Sequence, residues 1–134
     1  MPGPANPSGN DFYVYWFKVD GYPFYVGRGR AGRGPMREQY VKNIMRPENA
    51  EKRARADLCV RVYAELLDRG IKPDYFATDT MTLPEAKALE QQEIAQLVAQ
   101  GVLLTNRAYN PRRPKDLDKA MAAILSKEMK PISN

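Results

Sequence analysis

The stretch "YVYWFKVDGYPFYVGRGR", residues 13–30, sets the start of the fold in this chain. Tyrosine, phenylalanine, valine and tryptophan fill two short runs, residues 12–19 and 23–27. Residues of these types favour β-strands, and the "DG" between the runs is a strong signal for a hairpin turn. The sequence therefore predicts an antiparallel hairpin that leads into a segment rich in glycine and arginine.

Two tyrosines lie ten residues apart in this hairpin, one in each run. If residues 19–21 form a three-residue loop with a left-handed glycine, Tyr15 lies directly opposite Tyr25. Side chains that face each other across an antiparallel pair have Cβ atoms about 5 Å apart. The expected register therefore brings the two phenol rings together, next to the glycine- and arginine-rich segment.

After the hairpin, turn and capping residues divide the chain into further segments. Pro35 suits the first turn of a helix that runs to about Met45, and Pro47 separates this helix from the next one. The second helix is amphipathic, covers roughly residues 49–69 and is ended by Gly70. The sequence thus predicts two consecutive helices behind the hairpin.

A third strand and two further helices complete the predicted order. "DYFAT", residues 74–78, has a strand pattern. "TLPE", residues 82–85, is a capping box that opens a helix ended by Gly101. Residues 114–129 form a final amphipathic helix, and the 134 residues together fit one domain.

Composition restricts the class of protein. Hydrophobic residues make up 43% of the chain, and no apolar run approaches the roughly 20 residues of a membrane-spanning helix, so we expect a soluble protein. Residues 1–10 lack the pattern of a signal peptide and are predicted to be a disordered leader. Because Cys59 is the only cysteine, we expect no disulfide framework and a cytoplasmic location.

The chain contains no histidine, which restricts its chemistry. This composition removes the Ser-His and Cys-His nucleophile pairs, the His-Cys zinc sites and the usual general base at neutral pH. Any catalysis must therefore use tyrosine, lysine, arginine, carboxylates or a hard metal ion.

The positive charge of the chain, a formal net of +5, is concentrated in one segment. Residues 28–55 hold nine basic and three acidic side chains, so this basic segment carries +6 and the remainder is about neutral. A phosphate-rich partner fits such a segment, and a solvated helix face also explains it. Charge alone leaves both interpretations open. The nine basic residues are Arg28, Arg30, Arg33, Arg37, Lys42, Arg46, Lys52, Arg53 and Arg55.

Residues 27–32, "GRGRAG", match the G-x-G-x-x-G of a dinucleotide-binding turn. Such a turn belongs to parallel strands that alternate with helices, whereas the strand before this motif is the second arm of a hairpin. We therefore interpret the glycines as part of a flexible loop that faces phosphate and is lined by Arg28, Arg30 and Arg33.

The helix behind the capping box carries the most informative carboxylate. Its apolar stripe consists of Leu83, Ala86, Ile94 and Leu97. Glu90 falls in the middle of this stripe, and Glu93 lies at its edge. A carboxylate in such a place is costly without partners, so Glu90 is either salt-bridged to a helix arginine or part of a functional site. The helical pattern leaves both alternatives open.

Five features follow one another along roughly residues 12–110. They are "YVY" (13–15), "YVG" (25–27), a basic loop before a helix with an early arginine, "EAKALEQQEI" (85–94) and "LLTN" (103–106). Together they resemble the GIY-YIG nuclease superfamily. The resemblance implies an α+β fold with a small three-stranded antiparallel sheet flanked by helices. It places the domain at residues 11–110, with a helical extension at 111–134 packed on it.

Members of this superfamily cleave phosphodiester bonds in DNA with a divalent metal ion, and the resemblance implies a catalytic role for each matching residue. Tyr15 and Tyr25 match the tyrosines of the two tripeptides. Glu90 matches the metal-binding glutamate, and Asn106 matches the asparagine that closes the motif. We expect Tyr15 to relay a proton from water and Tyr25 to orient Tyr15 or the water.

The catalytic arginine is open between two positions. Arg37 lies in the first helical turn, where the superfamily places this residue, and we prefer it to Arg33 in the loop. Many members carry a histidine one turn after that arginine. This chain has none, and Tyr40 or an arginine is the candidate to replace it.

The expected function is that of a metal-dependent endonuclease that hydrolyses DNA, with one Mg²⁺ or Mn²⁺ held by Glu90. DNA, including branched or damaged DNA, is the expected partner in preference to RNA, and no membrane is expected. The alternative is a catalytically inactive module that holds nucleic-acid phosphates with the basic segment. The residues predicted to contact nucleic acid are Arg28, Arg30, Arg33, Tyr40 and Lys42.

Overall fold

The structure, a computed structural model, describes residues 10–31 and 36–129, without the side chains of Met36 and Arg37. Nine of the ten residues of the predicted leader lie outside this range. Three strands form one antiparallel sheet in the order β2-β1-β3. They are β1 (Phe12–Val19), β2 (Tyr22–Arg30) and β3 (Asp74–Ala77).

Five α-helices accompany the sheet within the described residues, so the α+β class is confirmed. They are α1 (Met36–Ile44), α2 (Ala50–Arg55), α3 (Leu58–Asp68), α4 (Leu83–Ala99) and α5 (Leu117–Ser126), with a 3-10 turn at Pro47–Asn49 before α2. None of the helices in this part of the chain combines the length and apolar character needed to cross a membrane.

The predicted tyrosine register is wrong by two residues. The turn contains only Asp20 and Gly21, both at positive φ (48° and 83°), so that Val19 pairs with Tyr22. Such two-residue turns match the twist of the strands that they join. The pairing then shifts between Lys18 and Phe17, because Phe24 forms a bulge in β2.

The turn and the bulge together change which residues face each other. Tyr25 pairs with Phe17, and Tyr15 pairs with Gly27. The two tyrosines still lie on one face of the sheet, as diagonal neighbours whose ring centroids are 6.0 Å apart. The predicted proximity of the rings is therefore correct, although they are not an opposed pair.

The glycines of "GRGR" are also placed differently from the prediction. Residues 27–30 belong to β2 and do not form a flexible loop. A Cβ atom at Gly27 would lie 2.6 Å from the Tyr15 hydroxyl oxygen, and one at Gly29 would lie 2.5 Å from the Tyr13 hydroxyl oxygen. These glycines are required because cross-strand tyrosine rings lie over the β2 backbone.

The predicted helix over 49–69 is broken in the structure. Ala56 and Asp57 are extended, with ψ of 163° and 149°, and separate α2 from α3. The two helices differ in their packing, since α2 buries no residue whereas α3 buries seven. The chain turns here to place the apolar face of α3 in the core while α2 stays in solvent.

The capping predictions for α4 are confirmed, whereas α5 is shorter than expected. The Thr82 side chain accepts a hydrogen bond from the Glu85 backbone N–H, and the Glu85 carboxylate accepts one from the Thr82 backbone N–H. Gly101, at φ 92°, follows the end of α4. The last helix covers Leu117–Ser126 instead of 114–129, because the Asp116 side chain caps it by accepting from the Lys119 N–H.

The hydrophobic core lies between the sheet and helices α3, α4 and α5. Phe17 of β1 packs edge-on against Tyr63 of α3 at 5.1 Å between ring centroids. Helix α4 packs on β1 and β2, and α5 packs on α3 and β2. Fully buried side chains of these segments include Val14, Phe24, Val26, Leu58, Leu66, Ile94 and Ile124.

Candidate functional site

The outer edge of β2 is covered by the segment that follows α4. Thr105 donates to the Phe24 carbonyl from its backbone N–H and from its hydroxyl, both at 2.8 Å. The Asn106 side chain accepts from the Val26 N–H at 3.0 Å and donates to the Val26 carbonyl at 2.6 Å. The Asn106 side chain is buried, and we call its two hydrogen bonds to the Val26 backbone the Asn106 clamp. This clamp holds the segment after α4 against the edge of β2.

A cleft of about 280 Å³ opens beside this clamp. Three residues predicted from the sequence to form the catalytic site meet in it: Tyr25 from β2, Glu90 from α4 and Asn106 from the clamp. The full lining is Tyr25, Asp57, Glu90, Ile94, Asn106, Arg107, Ala108 and Tyr109. Residues more than 60 positions apart in the chain thus share one concave surface.

Glu90 is the partly buried carboxylate of the cleft. Its side chain is 18% exposed, and its Oε1 accepts a hydrogen bond from Arg28 Nη1 at 3.2 Å. Burial raises the pKa of Glu90, because the charged form loses water, and the Arg28 guanidinium opposes this by lowering it. An ion pair, one of the two alternatives, is therefore present, but its partner is an arginine of strand β2 and the predicted helix arginine is wrong.

Tyr15 lies behind Tyr25, in a cluster of aromatic rings on one sheet face. Its ring centroid is 6.0 Å from that of Tyr25, 5.5 Å from Tyr75 and 6.2 Å from Tyr13. Tyr15 does not belong to the lining of the cleft, whereas Tyr25 does. Tyr25 thus shares the cleft with Glu90, whereas Tyr15, the tyrosine expected to relay the proton, does not line it.

The phenols of the cluster influence one another. Burial raises the pKa of Tyr75, and a hydrogen bond with the Tyr13 side chain and the nearby Tyr13 and Tyr15 phenols raise it further. Burial likewise raises the pKa of Tyr63 to about 12, with a smaller contribution from Glu38. Both phenols therefore stay protonated at neutral pH, and Tyr75 is a neutral hydrogen-bonding partner of Tyr13.

Arg28 points away from the tyrosine cluster. It pairs with Val14 across the two strands, and side chains alternate between the faces of a sheet. Tyr15, the next residue along β1, therefore belongs to the opposite face. The cleft lies at the edge of β2. Glu90 lines it and is paired with Arg28, which lies on one face of the sheet, and Tyr25 lines it from the other face.

The residues predicted to bind nucleic acid are mostly engaged within the protein. Arg30 forms an ion pair with Asp11 at 3.0 Å, and Lys42 forms one with Glu38 at 3.6 Å. Tyr40 is exposed on α1. Arg33 and the Arg37 side chain lie outside the described residues, so the choice of catalytic arginine stays a prediction.

Carboxylates neutralise much of the basic segment. Besides Arg28, Arg30 and Lys42, Arg53 pairs with Asp68 at 2.5 Å and Arg55 with Glu51 at 3.3 Å. Of the seven basic residues of this segment whose side chains the structure describes, five therefore have an acidic neighbour. The segment presents less free positive charge to a partner than its composition indicates.

Asp57, Arg107 and Tyr109 line the cleft and were not predicted from the sequence. Asp57 accepts a hydrogen bond from Arg107 Nε at 2.9 Å and lies 3.5 Å from Arg113 Nη2. Asp57 was missed because one continuous helix was predicted over residues 49–69. It is in fact the last residue of the break between α2 and α3. A tyrosine among arginines in "NRAYNPRR" was the available signal for the other two.

A divalent ion would find a suitable donor in Glu90. Mg²⁺ prefers carboxylate oxygen and keeps several of its waters, so one protein carboxylate in an open cleft fits it. Within residues 10–31 and 36–129, no three carboxylate or cysteine side chains cluster as a metal site. Because Arg28 contacts Glu90 Oε1, a cation and Arg28 would compete for this oxygen.

Comparisons with protein families, with curated proteins and with solved structures find no match to this chain.

Proposed function

We propose that this chain is a divalent-metal-dependent endonuclease with a GIY-YIG-type fold that hydrolyses phosphodiester bonds in DNA. The observation that carries the proposal is the convergence of Tyr25, Glu90 and Asn106 on one cleft, although these residues are far apart in the sequence. The sequence motifs selected these three residues, together with Tyr15 and Arg37, without reference to the cleft. The α+β fold with a three-stranded antiparallel sheet is compatible with this assignment.

Each part of the chemistry has a candidate residue in or near the cleft. Hydrolysis of a phosphodiester requires an activated water and neutralisation of charge on the phosphoryl oxygens. Tyr25 borders the cleft and would hold the water, while Tyr15, whose ring packs against that of Tyr25, would position it. Asn106 holds the β2 backbone beside them.

Glu90 is the residue that would hold the metal ion, and the ion would supply charge neutralisation and water activation. Arg28 neutralises Glu90 in the free protein and lies partly exposed next to it. A phosphate that approaches the cleft is an anionic partner for Arg28 besides Glu90. The guanidinium group can donate two parallel hydrogen bonds to its oxygens. Transfer of Arg28 from Glu90 to phosphate would leave the carboxylate to the ion. Arg37, or Arg33, would contact the phosphate as well.

The alternative function is a catalytically inactive nucleic-acid-binding module. The Arg28–Glu90 ion pair favours it, because this pair already gives the partly buried carboxylate a structural partner. In that case Glu90 orients Arg28, and the arginine holds phosphate without any metal ion. Metal dependence separates the two proposals.

The decisive experiment is incubation of the full chain with labelled linear, nicked, flapped and branched DNA, with Mg²⁺ or with EDTA. The nuclease proposal predicts cleavage of at least one substrate with Mg²⁺ and none with EDTA. Binding of all substrates without cleavage in Mg²⁺ or Mn²⁺ would support the binding module instead.

A further inference from the structure

The loop at residues 106–113 is held rigidly at the mouth of the cleft. The Asn110 side chain donates to the Leu104 carbonyl at 2.7 Å and to the Asn106 carbonyl at 2.9 Å. Its Oδ1 accepts from the Arg112 N–H at 3.2 Å. Because Asn110 is buried, these hydrogen bonds hold the backbone of residues 106–113 on the side that faces the protein interior. They thereby determine where the exposed side chains of the loop point.

Tyr109 occupies a conformation that side chains rarely adopt. Its φ is 58°, in the left-handed region. Among the described residues, Asp20 and Lys127 share this conformation, but Asp20 lies in the hairpin turn and Lys127 follows the end of α5. A bulky aromatic residue at such a position is strained, and strain of this kind concentrates at ligand-binding sites.

Burial does not compensate for the strain at Tyr109. The residue is 57% exposed and lines the cleft, while Gln91 of α4 donates a hydrogen bond to its hydroxyl at 3.0 Å. One edge of the ring is therefore anchored to α4, and much of its surface faces solvent beside Glu90. An exposed aromatic ring held by a hydrogen bond at its hydroxyl leaves its face open to a planar group.

The loop that carries this ring is basic. Residues 106–115 contain four basic and no acidic side chains. Arg107 also lines the cleft, and its side chain is 77% exposed although its Nε contacts Asp57. Arg113 shares the same carboxylate, so two guanidinium groups meet one negative charge. The group of Arg107, Arg113 and Asp57 therefore carries one net positive charge. The other carboxylate in the lining, Glu90, is paired with Arg28.

We propose that Tyr109 and Arg107 form a nucleotide subsite beside the catalytic cleft. An unpaired base of a nucleic-acid strand stacks on the Tyr109 ring, and the phosphate of that nucleotide contacts Arg107. Stacking on an aromatic ring and a cation on the backbone are the two contacts by which proteins hold single strands. The subsite rests on the proposed function only in that the bound strand is DNA, because it requires no cleavage.

The test is a binding titration of the full chain with a labelled single-stranded oligonucleotide in EDTA, followed by fluorescence anisotropy. Tyr109→Leu should weaken binding on the order of tenfold, because the stacking of a base is removed. Tyr109→Phe should bind within about twofold of wild type, since it keeps the stacking face. Phe76→Leu, which removes an exposed ring on β3 at the opposite edge of the sheet, should bind like wild type.

Oligonucleotides with altered bases separate stacking from a general loss of structure. On an abasic strand that keeps its phosphates, Tyr109→Leu and wild type should bind equally, whereas Arg107→Gln should weaken binding to both strands. A fully paired duplex should be insensitive to Tyr109→Leu because its bases are already stacked. Thermal melts of all variants check folding.

Two results would overturn the subsite: no binding of any strand by wild type, or equal binding of wild type and Tyr109→Leu to the base-bearing strand. Absence of Mg²⁺-dependent cleavage with intact sensitivity to Tyr109 would reject the nuclease proposal and leave the subsite standing.

Discussion

Glu90 lies partly buried beside the guanidinium of Arg28, and the two effects shift its pKa in opposite directions. Burial is the larger effect and raises the pKa, whereas Arg28 lowers it. Protons therefore compete with a bound cation at higher pH than they would at an exposed glutamate. As the pH falls through the raised pKa, Glu90 becomes neutral and loses its attraction for both Arg28 and a metal ion.

Glu90→Gln tests whether this carboxylate binds metal or only pairs with Arg28. The amide keeps the size of the side chain but removes the charge that would hold Mg²⁺, so we expect cleavage to be lost with folding intact. DNA binding should be retained or improved, because a negative charge near phosphate is removed. The measurements are a cleavage assay, a DNA titration and a thermal melt.

The control for this substitution is Glu93→Gln, one helical turn further along α4, which should cleave like wild type. Because the Arg28–Glu90 pair is partly exposed, its loss should cost about 1 kcal/mol of unfolding free energy or less. A purely structural pair in a dry interior would cost on the order of 3 kcal/mol. Full activity of Glu90→Gln, or inactivity caused only by unfolding, excludes Glu90 from catalysis.

The two tyrosines are expected to differ in their effect on cleavage. Tyr25 lines the cleft, whereas Tyr15 packs behind it, so the loss of the Tyr25 hydroxyl should reduce the cleavage rate at least as much as the loss of the Tyr15 hydroxyl. Tyr25→Phe and Tyr15→Phe are compared by single-turnover kinetics, with melts to confirm that both fold. If both variants cleave at the wild-type rate, neither phenol takes part in the chemistry.

Some residues of the site were predictable from the sequence, and others were not. Glu90 was predictable, because a carboxylate in the middle of an apolar helical stripe is anomalous within its own helix. Asp57 gave no such local signal, since its importance arises only when Arg107, 50 residues further on, folds back onto it. Tyr109 was hidden because the backbone conformation that makes it unusual is a property of the folded loop.

Strand β2 owes its length to two glycines that make room for tyrosine rings from β1. Gly27 lies under Tyr15, and Gly29 lies under Tyr13. The sequence indicated a loop here because glycine is depleted in strands. The contacts that override this tendency are those with the tyrosine rings of the neighbouring strand β1. They could not be predicted from residues 27–30 alone.

Gly29→Ala tests this explanation directly. The added methyl group would overlap the Tyr13 ring, so we expect destabilisation of about 1–3 kcal/mol, measured by denaturant unfolding. In a Tyr13→Ala background the ring is absent, and the same change should be neutral or stabilising by about 0.5–1 kcal/mol, as for glycine replaced within a strand. If Gly29→Ala lowers the free energy of unfolding equally in both backgrounds, the Tyr13 ring is not the reason that position 29 requires glycine.

Segments with local signals were predicted well. The two strands of the hairpin, β3 and the capping box of α4 all follow from residues that lie next to one another in the sequence. The break between α2 and α3 contains no glycine or proline that would predict it from the sequence. It arises because Leu58 and its neighbours in α3 are buried while the residues of α2 are not, a difference set by tertiary packing.

The charges of the protein are more balanced in the folded state than along the sequence. The net charge is +5, and much of the basic segment is paired with carboxylates, including Asp11 and Glu51. A partner that competes for these arginines must separate existing ion pairs. Such pairs are weak when exposed, so a dense row of phosphates can replace the carboxylates.

Binding of DNA should therefore depend steeply on salt. We expect affinity to fall with salt through counterion release, and joint substitution of Arg28, Arg30 and Arg33 by glutamine to reduce the slope. For duplex DNA, the slope should fall by about 0.9 for every arginine that neutralises a phosphate in the wild type and is replaced in the variant. Titrations at several salt concentrations measure it.

The matched control is Arg69→Gln with Lys72→Gln, two basic residues outside the basic segment, which should leave the slope unchanged. An affinity independent of salt, or equal slopes for the triple variant and wild type, would contradict electrostatic binding through this segment.

Tyr22 connects the beginning of the fold to its end. Its hydroxyl donates to the Glu128 carbonyl at 2.8 Å and accepts from the Leu103 N–H at 3.0 Å, across 106 and 81 residues of chain. A ribosome adds about 5–20 residues per second, so the hairpin emerges roughly 5 to 20 seconds before Glu128 is made. For most of that interval the outer edge of β2 is open, because Thr105 and Asn106 lie 81 and 80 residues after their partners in β2. The nascent hairpin is therefore the stage of biosynthesis at which this protein most needs protection from pairing with another chain.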